Sequence, residues 1–437
     1  MGRDFRIWMF IAVAFLLGSI NGLYGIAFYI FLMGAFLVNL KCDFKGFCAN
    51  FRKEWKYMIL PVVGVVYLYL HYVGTLIFSD PVPYESSWGM MELLLLYFFL
   101  LPLYVLSARN FVTPLLLRRS LFALCWGILL FNFVKMFYLT GFALFTEPVQ
   151  SLNMLYFGRF GGNMGFWGGF MYLEPQAIYL SVSALIAYFF LLKQMLSLDN
   201  KCVLYSSVVI FIFSLLFLSF TVTKGSILAF LGGFLLLSFF YFRAMSRRLK
   251  FIGGGIGIIL IVGIYFLASP IYIQRMKDMK QEIVSVQAGT FQGGSIGPRA
   301  GLIKENFSHF DQFGLWGLGV YKKEMTKEWY EHSPYIGVWV SNSHNTFVDF
   351  WLTLGVFGLF FLLYFFFVPI VRMRKRKQYS YLSIAIIVAL FVGNNTCILI
   401  VLVDSSPFVI WMLSMAFLYS DQFYRLQTAG TIDRSEG

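Results

Sequence analysis

Between Lys201 and Arg243 the chain carries a single charged residue, Lys224, and on either side of it stands an apolar run. Each run reaches the length of about 20 residues that spans a hydrocarbon core as a helix. In such a medium the backbone must satisfy its own hydrogen bonds, which leaves helices as the form these runs take. The pattern recurs along the chain. Candidate spans fall at 6–21, 23–40, 58–78, 88–107, 120–140, 174–192, 203–221, 224–242, 251–268, 346–370, 380–399 and 405–421. The expected fold is therefore all-α: one polytopic integral membrane domain over 1–437 with about 12 transmembrane helices. Composition agrees, with 59% hydrophobic and 13% charged residues, against roughly 25% charged in a soluble domain. No Ala-x-Ala processing site follows the first apolar block, which reads as a retained helix.

The net charge of +13 sits mostly in short loops. Those at Lys41 to Lys56, Arg109 to Arg119, Lys193 with Lys201, Arg243 to Lys250 and Arg372 to Lys377 fall on one side of the predicted spans. The positive-inside rule and anionic headgroups account for such charge, so membrane lipids and not nucleic acid are the expected partners. Both termini are then expected on the cytoplasmic side, with 422–437 as a cytoplasmic tail. Cys42 and Cys48 fall in a predicted reducing loop, and the five cysteines show no metal spacing. Neither a disulfide, a metal site nor a cofactor is expected.

Three segments lie on the opposite, exterior side. Residues 141–173 are Gly-rich and aromatic, as an interfacial segment would be. Residues 393–407 read as a short polar turn containing Asn394, Asn395 and Asp404. Residues 270–345 form one large exterior loop, expected to start as a helix (Ile273 to Val286), to turn at 293–294 and to form a second helix over about 298–310.

The exterior side also gathers the candidate chemistry. His344 follows Ser341-Asn342-Ser343 and precedes Asn345 where the loop enters an apolar run. An imidazole accepts a proton near neutral pH, and Asn342 and Asn345 stand where they would orient it. Arg299 follows Gly297-Pro298 and offers a planar fork for phosphate oxygens. Lys224, in Thr221-Val222-Thr223-Lys224-Gly225-Ser226, must reach an interface or neutralise a buried group. Arg159 is a further cation for an anionic substrate. Glu174, Asp349 and Asp404 are acids near span ends that balance these cations or bind sugar hydroxyls. Glu92 and Lys135 lie inside spans, where ionisable groups face an interior surface. Each residue also has a plain reading: a loop hydrogen bond for His344, solvation for Arg299 and Arg159, snorkelling to headgroups for Lys224. No P-loop, Asp-x-Asp, His-Glu-x-x-His or Gly-x-Ser-x-Gly occurs. Gly355-Val356-Phe357-Gly358 reads as a helix-packing feature.

Together these residues resemble the bacterial O-antigen ligase and O-antigen polymerase superfamily of lipid-linked glycan transferases. The cues are Ser343-His344-Asn345-Thr346 leading into Leu354-Gly355-Val356-Phe357-Gly358, Ser295-Ile296-Gly297-Pro298-Arg299, Gly317-Leu318-Gly319, and Thr223-Lys224-Gly225-Ser226. Lys224 stands where the family usually has arginine, and Glu174-Pro175-Gln176 stands for its more usual Asn-Pro-Asn. The resemblance implies an inverting, metal-independent glycosyltransferase of the bacterial inner membrane with a periplasmic active site. His344 would be the catalytic base, and Arg299, Lys224 and Arg159 would hold a polyprenyl-diphosphate-linked glycan donor. The acceptor would be lipid A-core in a ligase or a second lipid-linked glycan in a polymerase, with other polysaccharide-assembly proteins as further partners. A lipid-linked sugar transporter or flippase is the rival class, but no half-to-half repeat is visible.

Overall fold

The computed structural model describes residues 2–19, 26–77, 88–147, 150, 173–197, 200–221, 223–244, 277, 279–289, 291, 296–336, 343–396 and 406–428. Among them the regular structure is helical. The bundle opens with α1 (Arg3–Ser19), α2 (Ile26–Ile77), α3 (Trp88–Ala108), α4 (Pro114–Thr140), α5 (Leu173–Ser197), α6 (Lys201–Thr221) and α7 (Lys224–Ala244). A loop region follows with helical residues 279–287, α8 (Ile296–Ser308) and α9 (Lys322–His332). The chain then returns as α10 (Thr346–Arg376), α11 (Tyr381–Thr396), α12 (Ser406–Leu418) and α13 (Ser420–Thr428).

Among the described residues, 6 helices are long and apolar enough to cross a membrane: Ala27–Lys56, Pro114–Phe137, Gln176–Leu196, Lys201–Ser219, Lys224–Phe242 and Thr346–Arg376. Shorter apolar helices add Phe98–Ala108, Tyr381–Thr396 and Ser406–Leu418. The span expected at 251–268 lies outside the described residues.

One end of the bundle is fastened by charge. The Glu54 carboxylate, buried on α2, accepts from the Arg109 guanidinium, from Arg372 Nη2 at 2.6 Å and from Arg376 Nη2 at 3.4 Å. These residues tie α2, the turn after α3 and the end of α10. The stretch 41–56, expected as a loop, is helical, with one break at Asp43 (φ −152°, ψ 57°). Asp43 accepts from the Gly46 N–H at 3.0 Å and restarts the helix, as a capping aspartate does. Helix geometry then sorts the segment, with Phe47 and Phe51 partly buried against the core and Lys45, Arg52 and Lys53 exposed.

The opposite end is organised by a reversal inside α10. Gly355 has φ 64° and ψ −158°, a conformation essentially restricted to glycine. The Phe347 and Phe366 rings lie 5.7 Å apart, whereas a straight helix would separate those residues by about 28 Å. Phe98 of α3 meets Phe350 at 6.1 Å and Phe361 at 5.5 Å, one residue from each limb. The expected single span at 346–370 is thus a helical hairpin. Residues 346–354 climb from within the bundle, the chain turns at Gly355, and 356–376 descend to the Glu54 cluster. The climbing limb, nine residues or about 14 Å long, is too short to cross a bilayer.

Breaking a helix frees carbonyls and amides that an apolar bundle cannot leave bare. Here four of them find partners. The Leu352 carbonyl accepts from the Leu318 N–H at 2.7 Å and the Leu354 carbonyl from the Tyr67 hydroxyl at 3.1 Å. The His71 ring bonds the Thr353 backbone. The Val356 N–H donates to the Leu315 carbonyl at 3.1 Å. Two of these partners come from α2 and two from the segment 315–318. Gly317 (φ 79°) packs backbone to backbone against Thr353 to Gly355, and a Cβ on either glycine would overlap that backbone.

Gly355→Ala should lower the thermal midpoint of the purified protein sharply. The backbone term alone is about 1–3 kcal/mol, and the overlap with Leu315 and Trp316 adds to it. Gly34→Ala on α2, where an added Cβ meets nothing, should not lower the midpoint in the same melt, since alanine suits a helix interior better than glycine.

Candidate active site

The hairpin decides where His344 stands. The imidazole lies at the foot of the climbing limb, beside the outer end of α11. Its backbone has φ 53°, the left-handed region that a non-glycine residue adopts only when its neighbours impose it. Both neighbours are tied. The Ser343 N–H donates to Asp349 Oδ1 at 3.1 Å, and the Ser343 hydroxyl donates to the Asn345 carbonyl at 2.9 Å. Asn345 caps α10, its Oδ1 accepting from the Phe347 N–H at 2.9 Å and the Val348 N–H at 3.2 Å. Its Nδ2 donates to the Asn395 carbonyl at 3.1 Å. The residue as a whole is partly exposed between these two anchored residues, with its Nδ1 buried.

Asp349 lies one turn into the climbing limb with its side chain sealed from solvent. Besides the Ser343 amide, its Oδ1 meets Lys322 Nζ at 2.8 Å. The carboxylate therefore holds the His344 turn from one side and the start of α9 from the other. Burial and then the Asp349 charge push the phenol of nearby Tyr330 above its usual range. Tyr330 instead donates to Asn306 Oδ1 at 2.8 Å. Lys322 went unnoticed in the sequence because it stands beside Lys323 in a charged run where nothing marks one residue as buried.

Lys224 begins α7 at the same end. Thr221 and Thr223 hydroxyls bond at 3.0 Å across the tight α6–α7 connection, and Ser181 of α5 donates to the Ser226 carbonyl at 2.8 Å. Lys224 Nζ lies 3.4 Å from Glu282 Oε2, whose side chain is buried in the loop helix 279–287. Glu282 is a second residue that sequence reasoning missed. At Gly225 an added side chain would run into Thr396. Thr396 follows Asn395, whose carbonyl holds Asn345. Packing thus links Lys224 to His344 through the end of α11. The expected polar turn there is helical as far as Thr396, and the side chains of Asn394, Asn395 and Thr396 bond back to the carbonyls of Leu390, Phe391 and Val392.

Arg299 lies partly buried in the first turn of α8, which starts two residues before the expected position. Its helix contributes Leu302 to a small core with Phe313, Leu318, Trp329, Tyr330 and Leu352. Leu352 belongs to the climbing limb, so Arg299 and His344 ride on elements that share one core. Arg159, Asn342 and Asp404 lie outside the described residues, as do the side chains of Glu174 and Glu92. Lys135 is partly buried on α4.

A helical bundle with membrane-length helices, carrying Lys224 and His344 on packed elements at one end, defines the class. Residues 209–363 match the family model described as O-antigen ligase. That stretch runs from α6 through the loop to the descending limb of α10 and includes Lys224, Arg299 and His344. Over that stretch the chain is similar to the O-antigen ligase superfamily, a likeness that supports ligase- or polymerase-type glycan transfer with lipid-linked substrates in a membrane. No curated protein matches the chain significantly.

Removing the Lys322 charge strands a buried carboxylate. Lys322→Met is expected to destabilise the protein by roughly 3–5 kcal/mol, the range for breaking a buried ion pair from one side. The double variant with Asp349→Asn should recover much of that loss. Denaturation of the four proteins of this double-mutant cycle measures the coupling.

Proposed function

We propose that the protein transfers a glycan from a polyprenyl-diphosphate carrier to a lipid A-core acceptor at the periplasmic face of the bacterial inner membrane. The observation that carries this reading is the strained, doubly anchored His344 on a re-entrant limb, linked by packing to Lys224. Clamping a histidine at φ 53° has a folding cost, and such strain is concentrated where a side chain must be aimed.

The acceptor hydroxyl gives its proton to His344, and its oxygen attacks the anomeric carbon of the donor. The bond from that carbon to the diphosphate oxygen breaks, and the electron pair leaves with the diphosphate. Direct displacement inverts the anomeric centre. Lys224, Arg299 and Arg159 supply positive charge to the departing diphosphate, as preorganised cations do at developing negative charge. Lys224 gives charge without the planar fork of arginine, and Glu282 keeps its ammonium aimed from one side. The re-entrant limb fits a reacting bond that sits beside the carrier's diphosphate, near the headgroup layer. There the base lies below the hairpin apex and not on a freely exposed loop.

Purified protein in lipid nanodiscs, supplied with lipid-linked donor and lipid A-core, should form glycosylated core. His344→Ala should lower turnover on the order of 10²–10⁴-fold, the worth of a general base, while donor binding persists. Lys224→Gln should raise the donor KM more than it lowers kcat. Unchanged transfer by His344→Ala would remove the base assignment. Longer lipid-linked chains formed from donor alone would make the enzyme a polymerase.

A further inference from the structure

Helix α8 does not sort its residues as a water-facing helix does. Two of its polar residues turn inward: Glu305 accepts the Ser333 hydroxyl at 2.5 Å, and Asn306 accepts the Tyr330 hydroxyl. Both are buried. Leu302 is buried, but two large apolar residues turn outward beside Lys304 and Ser308, Ile303 at 37% and Phe307 at 46% exposure, with Phe310 just beyond the helix at 45%. A helix in water hides such residues and shows its polar ones. Helical spacing places Ile303 and Phe307 on one stripe, and the Phe310 ring stacks 6.5 Å from Phe307.

The stripe does not end with the helix. Phe307 and Phe310 pack edge-on against Trp351 at 5.7 and 5.5 Å, and the Trp351 indole donates to the Gly314 carbonyl. Leu315 and Trp316 follow, 60% and 61% exposed. The Trp316 ring lies over Phe357 at 6.3 Å. Phe357 and Phe360 face outward from the descending limb, 51% and 63% exposed, on a helix long and apolar enough to cross a membrane. The apolar face of the loop is therefore continuous with the face of that span.

We propose that this face of the loop, from α8 to Trp316, rests in the bilayer at the headgroup–acyl boundary of the leaflet beside the hairpin apex. The occupant is lipid, because the surface it extends belongs to a membrane span and because aromatic side chains, tryptophan above all, are enriched at that depth. An aqueous setting would leave a contiguous apolar patch open to water, which soluble surfaces avoid. The loop then lies against the membrane as a shoulder of the bundle, and a lipid-borne substrate reaches the pocket sideways past the apex.

The test compares the full chain with its Trp316→Phe variant in nanodiscs of phosphatidylcholine, with and without bromine on the upper acyl carbons. The fluorescence difference between the two proteins reports Trp316. Brominated lipid should remove most of that difference, and aqueous iodide should leave it nearly unchanged. Quenching by iodide alone would place the residue in water and overturn the proposal. So would resistance to both quenchers, which would mean that protein covers the face. Phe310→Trp introduced into the Trp316→Phe background should gain emission that brominated lipid again removes, at a second point on the stripe.

Discussion

The structure depends on how the broken backbone at Gly355 is satisfied. A helix interrupted in an apolar bundle exposes carbonyls and amides that have no water to turn to. Tyr67 and His71 from α2, with Leu315 and Leu318 from the loop, take up those groups. This closes the hairpin, and it also docks the loop onto the bundle and fixes α2 against both. Three parts of the chain far apart in sequence are held at one point, and the loop cannot drift without freeing buried polar groups. That constraint places the climbing limb, and the limb places His344.

Charge works differently at the two ends. At the basic end, Glu54 gathers three guanidinium groups and locks the foot of the descending limb to α2. At the loop end, each of two buried carboxylates has a lysine partner: Asp349 with Lys322 and Glu282 with Lys224. The first pair is sealed and holds the turn that carries the imidazole. The second leaves the lysine side chain 31% exposed. A buried charge pair rarely adds much stability, because desolvation offsets the attraction. Its use here lies in position, since each pair joins a bundle helix to a loop helix.

Hydropathy in the sequence was enough to read the helical membrane character, and its motifs singled out His344 and Lys224, which packing brings to one end of the bundle. The short motifs were enough to read the family, because their residue types are tied to local needs: a glycine at a reversal, an asparagine at a helix cap. Other features could not be read. The apolar run after Thr346 looks like one span because hydropathy has no memory of direction. A hairpin and a straight helix present the same residues, and only the Phe347–Phe366 contact separates them. Lys322 and Glu282 look like solvated loop charges until a partner arrives from elsewhere in the chain.

By itself, then, the sequence determined that these residues form helices in an apolar medium, since that outcome follows from local composition and spacing. Tertiary structure alone decided that the Gly355 segment turns back, that Gly317 seats against it, and that Asp349 and Lys322 hold the histidine turn. Those outcomes rest on contacts between residues far apart along the chain. Their energy comes from which buried polar groups find each other, and no local pattern records that.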